Sequence, residues 1–262
     1  MLLPAVALPM LAAERLQARP PIRAAANRAI IVDPTRNNIF PYLYDGAGWS
    51  TTFVFTNLDN RPIDLSLQFT ADDGSNLQIP VNGIGSTSNI DIPIQTGGTA
   101  SLTTSDFDSS RTSGYAFAAA RNGTDRFAGY AVVRQQTSGL PDLEFTLPLT
   151  SIDENQFVLP FDNTNGFATF VSLVNSSTQN TANVNVTVQD QSGNAITTDQ
   201  LQIGPLARMT FNVTDRYPQA NNIVASIFFN APGSQFVTGL GLRSGPNNSL
   251  TAITPFSLAP PR

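Results

Sequence analysis

Apolar residues return at every second position along most of the chain. Ile63, Leu65, Leu67 and Phe69 alternate with Asp64, Ser66, Gln68 and Thr70, the pattern of a strand with one face buried and the other wet. The same period runs through Phe40, Tyr42 and Tyr44, through Trp49, Thr51, Phe53 and Phe55, and through Val184, Val186 and Val188. Shorter strands are expected at 100–103, 115–120, 127–134, 143–149, 209–213, 223–229, 236–243 and 250–256. Gly, Asn, Asp and Pro clusters separate them roughly every 8–12 residues, and no helical period of ordinary length intervenes. The expected class is all-β, an antiparallel sandwich of the immunoglobulin-like kind.

Two stretches read as copies. Gly48-Trp49-Ser50-Thr51-Thr52-Phe53-Val54-Phe55-Thr56-Asn57 matches Gly166-Phe167-Ala168-Thr169-Phe170-Val171-Ser172-Leu173-Val174-Asn175: Gly before an aromatic, core-type residues at alternate positions, Asn at the close. Downstream, the turn holding Gly74 is matched by the one holding Gly193. A repeat of this kind predicts two tandem sandwiches, one over 37–152 and one over 153–262, joined near Thr150 to Gln156 with few contacts across the link and each able to fold alone. A polar insertion from Asn82 to Gln95 has no counterpart in the second copy.

Before the first copy lie 36 residues of another character. Met1 to Ala13 is apolar and ends in small residues, like the core and cleavage site of a secretory signal, though no basic residue precedes it. The arm that follows carries Arg15, Arg19, Arg23, Arg28 and Arg36 against Glu14 and Asp33, and reads as a solvated linker.

Composition narrows the chemistry. Only 13% of the 262 residues are charged, against about 25% in an average domain, so Ser, Thr, Asn and Gln make the wet surface, as in secreted β proteins. The chain has no Cys and no His, hence no thiolate or imidazole for zinc, no Cys nucleophile and no His general base. Every basic residue is Arg, and the net charge of −5 argues against a nucleic-acid partner. No apolar run is long enough for a membrane span, and no cofactor is expected.

The second copy resembles a repeat found in secreted, largely uncharacterised bacterial proteins. The likeness rests on the Gly166-Phe167-Ala168-Thr169 strand, the Val stripe, Asp190-Gln191-Ser192-Gly193-Asn194, Thr214-Asp215-Arg216-Tyr217-Pro218, Gly239-Leu240-Gly241-Leu242-Arg243 and the closing Leu250 to Phe256. It covers most of 157–256 and, less closely, 39–149. It implies an immunoglobulin-like sandwich outside the cytoplasm and carries no catalytic residue.

Candidate sites are few. Asp162-Asn163-Thr164-Asn165-Gly166 has alternating oxygen side chains before a Gly, part of a calcium loop, so Asp162 and Asn165 are weak metal candidates; the bidentate acid that completes such a loop is missing, and Asx-Gly runs serve any turn. Asp142 and Glu144 share a strand face, but alternation with Leu143 and Phe145 makes them solvent-facing. Trp49 and Phe167 have core parity. Tyr42 and Tyr44 have no paired counterpart in the second copy; beside the Gly46-Ala47-Gly48 turn, with the insertion as a wall, they are candidates for stacking on a sugar ring. These readings lead to a non-enzymatic module, secreted or at the cell surface, with a structural or adhesive role toward another surface protein or an extracellular polysaccharide. The alternative is a carbohydrate-binding accessory module of a degradation system.

Overall fold

The computed structural model describes residues 21–25, 38–106, 108–121, 126–139, 141–151, 155–233, 237–246 and 249–258. The signal-like segment and all of the Arg-containing arm except 21–25 lie outside these. The first part of the chain forms β1 (Arg23–Ala24), β2 (Asn38–Asp45), β3 (Trp49–Asn57), β4 (Ile63–Thr70), β5 (Ile79–Val81), β6 (Gly85–Thr87), β7 (Asn89–Ile94), β8 (Thr99–Thr103), β9 (Thr112–Ala120), β10 (Phe127–Gln135), β11 (Leu143–Pro148) and β12 (Thr150–Ser151). The second part forms β13 (Gln156–Asp162), β14 (Ala168–Asn175), β15 (Ala182–Gln189), β16 (Ala195–Ile203), β17 (Arg208–Asn212), the single turn α1 (Val213–Arg216), a 3-10 turn at Pro218–Ala220, β18 (Val224–Asn230), β19 (Val237–Ser244), β20 (Leu250–Ile253) and β21 (Phe256–Ser257).

These strands build an all-β sandwich architecture from antiparallel sheets. The first half pairs β1-β7-β4-β9-β2-β12 against β11-β10-β3-β8; the second pairs β16-β15-β18-β13-β21 against β20-β19-β14-β17, and β5-β6 is a separate hairpin. Read in these directions, the order of the second half repeats that of the first, strand for strand, apart from β1 and the hairpin. In the first half β3 lies between β8 and β10, and β9 lies between β4 and β2.

The Asn that closes each of the two similar stretches has a shared physical reason. Asn57 Nδ2 donates to the carbonyls of Arg61, Ile94 and Gln95, and its Oδ1 accepts from Asp59 N. Asn175 Nδ2 donates to Asn180, Ile203 and Gly204, and its Oδ1 accepts from Ser177 N. Both side chains are buried and tie one loop to another through backbone carbonyls at strand ends and turns. Gly74 and Gly193, at φ of +88° and +82°, occupy matching tight turns where only Gly is free of a Cβ penalty.

The insertion is shorter than its sequence suggests. Residues 89–94 are β7, paired along β4; the extra element is the β5-β6 hairpin, whose Ile79 and Val81 enter the core while Ser105 N donates to the Pro80 carbonyl. The single strand expected over 250–256 is two: at Thr254-Pro255 the chain leaves β19 and crosses to pair with β13, as it passes from β10 to β2 between β11 and β12. Proline at the crossing cannot donate to either ladder.

The largest departure lies between the halves, where few contacts were expected. On β14, Thr169, Val171 and Leu173 face their own core, as the alternation predicts, but Ser172 and Val174 on the opposite face are also buried. The first half covers them. Val174 and Leu206 pack with Ile39, Tyr115 and Phe117, and Leu240 and Leu242 join the first half's core cluster, with Leu250 and Ala252 packed against it. Polar groups are satisfied across the same seam: Ser172 Oγ donates to the Pro41 carbonyl and Tyr115 Oη to the Leu206 carbonyl.

Arg208 fastens the seam. Its side chain is 2% exposed, and every partner belongs to the first half: Nε and Nη2 on Asp72 Oδ1 at 2.8 and 2.7 Å, Nη1 on the carbonyls of Pro41 and Gly114, and the guanidinium 5.8 Å from the Tyr42 ring centre. Leu206, beside it, holds a φ of 53°, uncommon for a bulky residue, and its side chain lies in the shared cluster.

Candidate functional site

The seam opens at one end into a cleft of about 500 Å³, within the roughly 300–1,000 Å³ of small-ligand sites. Five aromatic rings line it: Tyr42, Tyr44 and Trp49 from the first half, Phe170 and Phe211 from the second. Arg111, Gln135, Thr210, Asn212, Asp215 and Ser244 supply its polar groups.

The elements set these positions. Tyr42 lies within, and Tyr44 just beyond, a register shift of β2 between Phe40 and Leu43. The Gly46-Ala47-Gly48 turn brings Trp49 back beside Tyr44, with ring centres 5.1 Å apart. A Cβ on Gly48 would lie 2.3 Å from the Gln136 carbonyl oxygen, so the turn closes only around Gly. From the other side, β14 presents Phe170 and β17 presents Thr210 and Asn212. Asn212 Oδ1 accepts from Thr214 N and Oγ1 to cap α1, which fixes Asp215 in its first turn.

Tyr42 and Tyr44 do line a concave site, but not as a surface pair. Tyr42 is 1% exposed, and its hydroxyl has no hydrogen-bond partner. Tyr44 is half-buried, with the Arg111 guanidinium 5.4 Å from its ring centre. Burial pushes both phenols above their ordinary range; the Tyr44 shift is opposed by the nearby Arg208 and Arg111 charges. Residues 82–95 form no part of the cleft wall. Trp49 belongs to the core cluster, as its parity predicts. Phe167 does not: it is half-buried, with Arg243 3.4 Å from its ring centre.

The Asp162 loop is a turn. Asp162 Oδ1 accepts from Thr164 N and Oγ1, Oδ2 takes the Arg243 guanidinium at 2.5 Å, and the Thr164 bonds and Arg243 hold its pKa below the usual carboxylate range. A guanidinium therefore occupies the carboxylate that a cation would need. Asn165 is exposed at a φ of 54° and donates to Thr164 Oγ1, and Gly166 follows at +78°, an Asx-Gly turn. Asp142 pairs with Arg134, and Glu144 is exposed, while Leu143 and Phe145 are buried as alternation requires. A second depression, of about 540 Å³, lies over Asp190 and Asn222, but Asp190 spends its oxygens on Ser192 N, Asn194 N and Asn194 Nδ2.

Phe170, Phe211, Arg111 and Arg208 escaped the reading of the sequence. The signal for one of them was present: Phe170, with Val174, places an apolar side chain on the face of β14 that alternation makes wet. No protein-family model matches the chain, and a search of the curated proteins finds no relative.

Proposed function

We propose that the protein is a non-enzymatic module acting outside the cytoplasm, at the cell surface or secreted, in a structural or adhesive role. It is a tandem pair of immunoglobulin-like sandwiches that arose by duplication. The recurrence of the strand order, together with the matching Asn57 and Asn175 networks, supports the duplication. The observation that carries the functional reading is the seam: a polar but weakly charged body whose halves are bolted together by a buried arginine suits a part that presents fixed surfaces under load. Within the cleft, Asp215 is the one carboxylate among the described residues, so the opposed pair that glycoside hydrolysis needs is not assembled there.

The test combines cell fractionation in the native host with incubation of the purified chain with glycan and peptide substrates. Extracytoplasmic protein with no turnover is expected. Soluble cytoplasmic protein with an intact Met1, or release of product, would refute the proposal. The second reading, a carbohydrate-binding accessory module, is favoured by the aromatic lining of the cleft.

A further inference from the structure

Elsewhere on these sheets polar side chains find partners across strands. Thr52 pairs with Thr103, Thr56 with Thr99, Asn183 with Gln202 and Gln156 with Asn230. The polar side chains of the cleft make no such pairs. Gln135, Thr210, Asp215 and Ser244 line it without a side-chain hydrogen bond or ion pair among the described residues, Arg111 contacts only the face of Tyr44, and Asn212 keeps its amide NH2 free while its oxygen caps α1. Beneath them the Tyr42 hydroxyl is buried without a partner. Buried polar groups are normally satisfied, and the Tyr42 hydroxyl is not; above it, solvent-facing donors and acceptors that no neighbouring side chain engages surround aromatic rings, an arrangement open to a polar, flat-faced ligand.

We propose that this cleft binds a neutral saccharide, roughly one or two pyranose rings of a polysaccharide chain, with both halves contributing. Phe170 is 38% exposed at the cleft and makes no ring contact with another aromatic among the described residues, so its face is open to the C–H face of a sugar. Equatorial hydroxyls lie in the plane of such a ring and both donate and accept. Asp215 and the Gln135 amide oxygen accept from them, while Arg111 and the Asn212 amide donate. Arg111 and Asp215 cancel in charge, and the chain is −5 overall, which disfavours an acidic glycan. Aromatic grooves also take proline-rich peptides, but proline offers no N–H and would leave Asp215 without a donor. This inference rests on the adhesive reading and names what is adhered to.

The experiment measures depletion of the full chain from solution by insoluble cellulose, chitin, xylan and starch. Wild type is expected to bind at least one of them, Phe170→Ala to weaken that binding by about tenfold, the scale of a lost central aromatic contact, and Gln135→Ala by a smaller factor. Phe256→Ala, which removes an exposed ring (63%) outside the cleft, is expected to bind like wild type. Thermal unfolding of each variant confirms that it is folded. The proposal is overturned if wild type binds none of the four, if Phe170→Ala and Gln135→Ala both bind as wild type does, or if a polyproline peptide is bound in their place. Release of soluble sugar with retention sensitive to Phe170 would refute the non-enzymatic reading and support the saccharide site.

Discussion

Replacing Arg208 by methionine keeps the aliphatic stem and removes the guanidinium. The Gly114 carbonyl then loses this donor inside the seam while the Pro41 carbonyl keeps Ser172 Oγ, and a buried acceptor that loses its partner costs about 1–3 kcal/mol. The Asp72 arm contributes less. Its carboxylate is 50% exposed, so solvent screens the pair and about 0–1 kcal/mol is the appropriate scale. Methionine also abolishes the cost of burying a charge, which offsets part of the loss. The net expectation is a destabilisation of about 1–3 kcal/mol. For a chain of this size a Tm falls by about 2–4 °C per kcal/mol, so circular dichroism should show a drop of roughly 2–12 °C. Arg208→Lys, which retains charge but not the fork that reaches three partners, should recover only part of it. A Tm within about 2 °C of wild type for Arg208→Met would refute the claim that this residue fastens the halves.

Three further outcomes follow from the same contacts. Asn57→Ala and Asn175→Ala each strip a donor from three carbonyls, and each should cost about 2–4 kcal/mol in urea unfolding; a cost confined to one of the two would show that the networks are not equivalent. Gly193→Ala meets open space and should cost only the left-handed penalty of about 1–2 kcal/mol, whereas at Gly74 a Cβ would lie 2.6 Å from the Pro205 oxygen across the seam, so Gly74→Ala should be the more harmful by a clear margin in the same assay. Burial raises the phenol pKa of Tyr42, Tyr44, Tyr115 and Tyr217, the last to about 12; folding thus favours the neutral form, and this stability is complete below pH 10, the ordinary phenol value, and is lost as pH rises above it. Phenolate absorbance from these four should appear together with unfolding in an alkaline titration, and a smooth rise in a still folded protein would contradict their burial.

The strands were legible because one face of each meets a core and the other meets water, which writes the period into the residues. What alternation could not show is a second burial. Ser172 reads as a wet position, yet it is buried because its hydroxyl satisfies the Pro41 carbonyl; Tyr115 and Phe117 lie on opposite faces of β9 from Ala116 and Ala118, and all four are buried. Long-range pairing of this kind leaves no local pattern, as Arg208 shows: an arginine opening an edge strand looks solvated, and only the fold brings Asp72, 136 positions away, to meet it. Tyr42 and Tyr44 were recognisable as unusual because the second half lacks their match. Their surroundings were not legible, because the wall opposite them is Phe170 from the other half and not the neighbouring insertion.

Scanning calorimetry of the whole chain tests most directly whether the two sandwiches form one body with the cleft at its seam. The shared core predicts a single transition in which calorimetric and van't Hoff enthalpies agree. Two separated transitions, with the halves melting independently, would contradict it.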